Sequence, residues 1–314
     1  MTTRLTKRAR QSPASTALRW SGVVLGALVF LGGAFQTADR MAQRDIQTEY
    51  SYPATDAVEV VADGEVTVTT GGAVVEVLAR ARTGFMPATY SADQAGGQLK
   101  IHHECRAVVA GHCAASLEVR VPEGAHVTIR SSTGDVSAFD VVGDVTVSAN
   151  VGGVTVEGVT GRVLATSGSG SVEVRRVSGS VEASTAVGRV VVDRAAGAVV
   201  ARSGSGEIDV RDAGGSVEAT TNVGAVIVRG VQGDAVVDAG SGRLEVAGVL
   251  GDVQATTSHG RVVVRSTGEP VALDIATANG RSTIDAPTDR DATRSVYIRS
   301  GSGDVSYVGA DAVD

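Results

Sequence analysis

The sequence predicts an all-β fold: a parallel β-solenoid, or β-helix, of about 18-residue two-strand coils, preceded by an N-terminal transmembrane or signal helix. Three observations predict it. Glycine recurs at a fixed spacing of nine residues through the middle of the chain. The residues two and four places after those glycines are almost all small and apolar. One uncharged apolar run, residues 20–38, follows a basic leader. The bulk composition agrees: 40 of 314 residues are Gly and only 3% are aromatic. Valine with threonine favours strands, and regularly placed glycine favours turns. A hydrophobic content of 43% with a net charge of −7 separates the chain from disordered sequences.

Arg4, Lys7, Arg8, Arg10 and Arg19 make residues 1–19 a basic leader with no acidic residue. WSGVVLGALVFLGGAFQTA (20–38) then reads as a secretory signal or a retained membrane anchor. Gly32 and Ala34 offer a small-x-small cleavage site, whereas the long leader and the span length favour retention. Both readings keep the positive flank in the cytoplasm and export the remainder. The expected location is the plasma membrane with an extracytoplasmic body, or secretion if the signal is removed. Residues 39–54 read as a polar linker. Without the five leader cations, 23 basic residues face 35 acidic ones, a balance of −12. That sign does not suit a phosphate backbone, so nucleic acid is not an expected partner.

Residues 55–130 carry strand-like runs in a looser pattern: AVEVVA (57–62), EVTVT (65–69), AVVEVLARA (73–81), QLKIH (98–102) and SLEVRVP (116–122). They read as irregular first coils or a cap. Between the last two lies HHECRAVVAGHC (102–113). In an exported chain, Cys105 and Cys113 are expected to form a disulfide. The competing metal reading draws on His102, His103 and His112, but their spacing with the cysteines fits no common zinc pattern.

Residues 131–268 hold the regular repeat. Fifteen glycines, from Gly134 to Gly260, stand nine apart without a slip. Two residues after each comes Val, Ile or Leu, Ala235 excepted, and four residues after comes Val or Ala. Each unit is a short strand with inward positions two apart and then a turn. After Gly152, Gly170, Gly188, Gly206, Gly224 and Gly242 the fourth residue is Val; after Gly161, Gly179, Gly197 and Gly215 it is Ala. Two units therefore make one coil. The outward residue reads Glu173, Val191, Asp209, Ile227, Glu245, Val263 on alternate units. A 36-residue coil would stack the three acids side by side, which is destabilising. An 18-residue coil holds them about 9.6 Å apart, near a Debye length. After Gly260 the repeat breaks, and Pro270, Pro287 and the polar run 288–294 indicate an insertion. The motif returns in RSGSGDVSYV (299–308), so residues 269–314 read as C-terminal coils and a cap.

Glycine-rich turns such as TSGSGSVEV (166–174) invite catalytic and ligand readings. Calcium β-rolls need an Asp in every turn, yet the residues after Ser-Gly-Ser-Gly are Ser171, Glu207 and Asp304, and Arg243 follows the related Ala-Gly-Ser-Gly. A phosphate loop needs Lys after its glycines, and Lys7 and Lys100 are the only lysines. Polysaccharide-cleaving β-helices use paired acids, but the acids here recur as regularly as a solvated face. Ser167 and Ser169 are expected to hydrogen-bond their turns. No catalytic residue, metal ligand or cofactor is expected. The outward apolar residues Leu164, Val191, Val200, Ile227, Val236 and Val263 are the candidate partner surface.

LEVRVPEGAHVTIRSSTGDVSAFDVVGDVTV (117–147) and the SGSGxVEV-type units after it resemble the DUF4097 family of β-strand-repeat, adhesin-like proteins over roughly residues 56–310. The resemblance implies a β-helix-like, extracytoplasmic body and supplies no catalytic residue. The expected function is a non-catalytic envelope protein that displays a repetitive surface to a cell-wall polymer or an envelope protein. The alternatives are an envelope-sensing partner of a membrane signalling system and a carbohydrate-active β-helix enzyme.

Overall fold

The computed structural model describes residue 41 and residues 44–83, 87–105 and 113–310. The apolar segment 20–38 and its leader lie outside the described residues. Among the described residues no helix is long and apolar enough to cross a membrane. The described residues form twenty-seven strands in two sheets, one of 14 strands and one of 13, that face each other across a thin core.

At the N-terminal end lie β1 (Arg44–Tyr52), β2 (Ala57–Ala62), β3 (Val66–Thr70), β4 (Val75–Thr83), β5 (Ala88–Ala95), β6 (Gln98–Cys105), β7 (Cys113–Val121), β8 (His126–Thr133) and β9 (Val136–Phe139). The body follows as fourteen strands from β10 (Val145–Val151) to β23 (Val262–Arg265), alternating between the sheets. One body coil is β13 (Val172–Val177) and β14 (Val181–Val187). Val172 pairs with Val154 before it and Val190 after it, all in parallel, so each coil advances 18 residues. Glu173 accordingly stands beside Val191 and not beside Asp209, as electrostatics required.

Each body coil turns six side chains into the core. In this one they are Val172, Val174 and Val177 from one sheet and Val181, Ala183 and Thr185 from the other. The three-residue step from Val174 to Val177 departs from strand alternation because Arg176 is left-handed, with φ of 52°. Asp140, Gly158, Arg194, Asp212, Gly230 and Gly248 repeat that conformation at the same place in their coils. This turns the last apolar side chain of each strand back into the core. Arginine in the left-handed region costs on the order of 1–2 kcal/mol, which composition gave no reason to expect.

At the opposite corner the glycines are obligatory. Gly170 has φ of 149°, and a Cβ there would stand 2.1 Å from the carbonyl oxygen of Gly152 one coil below. The buried hydroxyls tie the same corner. Ser167 donates to Gly152 O at 2.9 Å, Thr185 to Gly170 O at 2.9 Å, Ser203 to Gly188 O at 3.1 Å and Thr221 to Gly206 O at 3.2 Å. The glycine carbonyls, otherwise stranded in a tight turn, are satisfied by a hydroxyl column running up the core. The expected turn-binding role of Ser167 is this bond.

The ends depart from the sequence reading. Arg44–Tyr52, inside the stretch read as a linker, is strand β1, paired antiparallel with β4 along all nine residues. Its residues are mostly exposed and its apolar face, Ile46, Tyr50 and Tyr52, is interrupted by Thr48, so the period marked it weakly; the free edge of β4 supplies its pairing. β4 also runs antiparallel to β7, and β5 antiparallel to β6. The coil β2–β3 does not start the stack. It lies between β6–β7 and β8–β9. The C-terminal end mirrors this with β24 (Ala272–Asn279), β25 (Ser282–Asp285), β26 (Ser295–Ser302) and β27 (Val305–Val308). There β26–β27 inserts between the last body coil, with β22 (Val253–His259) and β23, and the outer coil β24–β25.

Candidate interaction surfaces

The outward residues fall on two faces, not one. Val191, Ile227 and Val263 belong to the sheet that contains β13; Leu164, Val200 and Val236 belong to the sheet that contains β14. Their accessibility also differs. Val191, Val200 and Ile227 are half-buried, Val236 is 37% exposed, and Val263 is only 6% exposed. The predicted single apolar patch is therefore corrected to two interrupted rows, with Val263 removed from the accessible set.

The acids between them are not freely solvated either. An arginine two residues along the strand covers each of the first two: Arg175 binds Glu173, and Arg211 binds Asp209 at 2.5 Å. Glu245 takes Arg229 at 2.9 Å from the neighbouring coil. Asp209 is 7% exposed and its Oδ1 has no hydrogen-bond partner. The row is thus a chain of local ion pairs separated by β-branched residues, close to neutral along its length. On the other face Arg202 bridges Glu182 at 3.4 Å and Glu218 at 2.7 Å, spanning Val200. Burial pushes the Asp238 carboxyl above the ordinary carboxylate range; Glu218 adds to this, and a hydrogen bond from Thr256 opposes it.

The most exposed apolar side chains of the body stand elsewhere. Val151, Val187 and Val223, at 55%, 57% and 57% exposure, project from the corner immediately before the obligatory glycines. Ser169, Ser205 and Ser241 hold the same position in the intervening coils. The valines therefore lie two coils apart, about 9.6 Å, and are separated by the small Ser-Gly-Ser turns. The alternation of N-V-G or A-V-G with G-S-G in the sequence carries this stripe; reading only the inward and outward strand positions passes over it.

Cys105, at the end of β6, is disulfide-bonded, and its backbone N–H donates to Asp63 Oδ2 at 3.0 Å. Cys113 is the chain's only other cysteine, and its side chain lies outside the described residues, as does His112. His102 stands 3.8 Å from Glu104, while His103 points into the core. Among the described residues no three His, Cys, Asp or Glu side chains are grouped to hold a metal ion.

The family model Toastrack DUF4097 matches residues 90–311. Among solved structures, the chain is similar to a protein named "putative adhesin" from Bacteroides fragilis, at 12% identity and a TM-score of 0.42, covering 84% of this chain and 97% of that one. It is also similar to one named "putative lipid binding protein" from Parabacteroides distasonis, at 14% identity and 0.39, with 84% and 97% covered. A "putative adhesin" from Parabacteroides merdae follows at 8% identity and 0.34, with 84% and 96% covered. No curated protein is detectably similar in sequence. At these identities none of the three structures lends the chain a ligand or an activity.

Proposed function

Starting from the family to which this chain belongs, DUF4097 or Toastrack, we propose that it is a non-catalytic cell-envelope protein that displays a repeating surface to a wall polymer or an envelope protein. Residues 20–38 carry the body out of the cytoplasm and, if retained, hold it at the plasma membrane. The observation that supports this reading best is the corner stripe Val151, Val187 and Val223, which repeats at two-coil spacing and is more exposed than the apolar residues of either sheet face. Regular apolar projections on a rigid, otherwise ion-paired rod suit a partner that is itself repetitive or extended. Chemistry plays no part in the reading: the outward acids Glu173, Asp209 and Glu245 are held by arginines in local pairs.

The experiment is capture of envelope components by the full chain, compared with a double variant Val187→Asp, Val223→Asp. Both positions are exposed and touch no core layer, so the melting temperature is expected to hold. Loss of at least tenfold in partner capture supports the stripe as the contact. Unchanged capture removes it.

A further inference from the structure

The corner opposite the valine stripe is not uniform along the body. In the sheet of β13, the last inward residue of successive strands reads Val159, Val177, Ala195, Ala213, Val231 and Val249. The residue after it reads Thr160, Ser178, Ala196, Gly214, Gln232 and Leu250. Two adjacent coils therefore carry small side chains at both places, and a cavity of about 510 Å³ opens over them. Val177 and Ser178 bound it on one side and Gln232 on the other.

Charged side chains converge on the same place. Arg176 and Arg194 hold the left-handed position of adjacent coils, and both line the cavity with Asp212 of the next coil. Their side chains are 48% and 59% exposed. Arg176 uses Nη2 on Glu157 at 2.5 Å, and Arg194 uses Nε and Nη2 on one oxygen of Asp193, at 3.1 and 3.0 Å. A guanidinium has five N–H donors, so each keeps donors for a further acceptor. Asp212 is exposed and has no ion-pair or hydrogen-bond partner among the described residues. A Cβ on Gly230 would stand 2.6 Å from Asp212 Oδ1, so the carboxylate leans over the glycine of the following coil, where the cavity continues.

Along the cavity the charge changes from positive at Arg176 and Arg194 to negative at Asp212 within two coils, about 9.6 Å. We propose that this cavity binds a zwitterionic dipeptide of small residues, with its carboxylate on Arg176 and Arg194 and its ammonium on Asp212. Two extended residues span about 7 Å, and an ion pair at each end takes up the remaining length. The carboxylate receives charge-assisted hydrogen bonds from the guanidinium groups, the strong kind. Ala195, Ala196, Ala213 and Gly214 give small side chains an apolar floor. A wholly anionic ligand would meet Asp212 and a wholly cationic one the two arginines, so a dipolar ligand fits best. The site lies on the other corner from the valine stripe and does not depend on it.

The test is calorimetric titration of the full chain, in a non-ionic detergent, with alanylalanine in its L,L and D,D forms. Saturable binding of at least one form is the expected result. The same dipeptide N-acetylated, or amidated at its C-terminus, loses one charge and should bind at least tenfold more weakly. Arg194→Asn and Asp212→Asn should each weaken binding at least tenfold, and asparagine tolerates the left-handed backbone at both positions. Ala196→Leu fills the cavity with the side chain that Leu250 carries at the same place of its own coil, so it should weaken binding at least tenfold while the melting temperature holds. No saturable binding to the wild-type chain overturns the assignment. So does binding that Ala196→Leu leaves unchanged, or equal affinity for the blocked dipeptides.

Discussion

The body and the two ends of this molecule solve the same problem by different means. In the body each coil rests on the coil 18 residues before it, and every strand finds its neighbour by counting. At the ends counting fails. Residues 57–70 are covered by a coil formed some forty to fifty residues later, and β26–β27 slides under a coil that precedes it in sequence. The outermost strands are mostly polar and are exposed along all four residues of β25, Ile284 among them, and along most of β1 and β5. A repetitive stack has no intrinsic stop, and its terminal layer would offer an apolar edge to any other strand. Exchanging the order of the last coils locks each end by contacts distant in sequence, and antiparallel strands at one end finish the sheets with polar residues.

Perturbations should separate the two regimes. The largest effect is expected in the body at Gly224→Ala. There φ is 149° and a Cβ would lie 1.9 Å from Gly206 O, so the coil cannot close; a loss of about 3 kcal/mol or more is expected in denaturant titration. Gly124→Ala, near the N-terminal end, meets nothing within 4 Å and should cost about 1 kcal/mol, the strain of its φ of +84° alone.

Next comes the N-terminal closure. Tyr90→Ala removes the stack on Tyr50 and the hydroxyl contact with Tyr52, and should cost about 2–3 kcal/mol. If the end is a separate unit, hydrogen exchange will rise in β1 and β5 and stay unchanged beyond β10. Acid should act on the same end. His103 has its pKa depressed in the folded state, so the unfolded chain binds the proton more readily. Its contribution is present above the unfolded value of about 6.5 and is lost as pH falls below it. The melting temperature of wild type should therefore drop faster between pH 7 and 5 than that of His103→Phe. Equal slopes would contradict the burial of that ring.

A smaller effect belongs to the hydroxyl column. Thr221→Val keeps the shape, but Gly206 O loses its donor, at about 1 kcal/mol. Smallest of all is Arg202→Ala. It breaks two exposed pairs with Glu182 and Glu218 and should shift stability by about 0.5 kcal/mol or less, an effect that salt erases.

The body was legible because its code is local. The glycine at Gly170, the inward Val172 and Val174 and the spacing of Glu173 from Asp209 all follow from a period that can be counted. The corner stripe was present in the same period, at the last residue of alternate strands, Val187 and Val223, past the positions that alternate inward and outward. The left-handed column was hidden because Arg176 and Arg194 are not residue types that announce φ above zero. The ends were legible as strands and not as topology, since nothing in AVEVVA states that QLKIH will cover it. β1 carried only a broken apolar period, Ile46, Tyr50 and Tyr52 interrupted by Thr48. His103 and Tyr90 are 13 residues apart in sequence and face each other only because β5 folds back antiparallel on β6.

The exchange of coils at the ends can be tested by cross-linking. Tyr297 of β26 pairs with Gln254 of β22 on one side and with Asp274 of β24 on the other. Adjacent parallel strands lie about 4.8 Å apart, within disulfide reach, and strands two apart lie about 9.6 Å away, beyond it. With Gln254→Cys and Tyr297→Cys, mild oxidation should give a cross-link mapped by mass spectrometry, and Gln254→Cys with Asp274→Cys should give none. A cross-link between positions 254 and 274, with none between 254 and 297, would mean that the coils stack in sequence order and that the ends are built like the body.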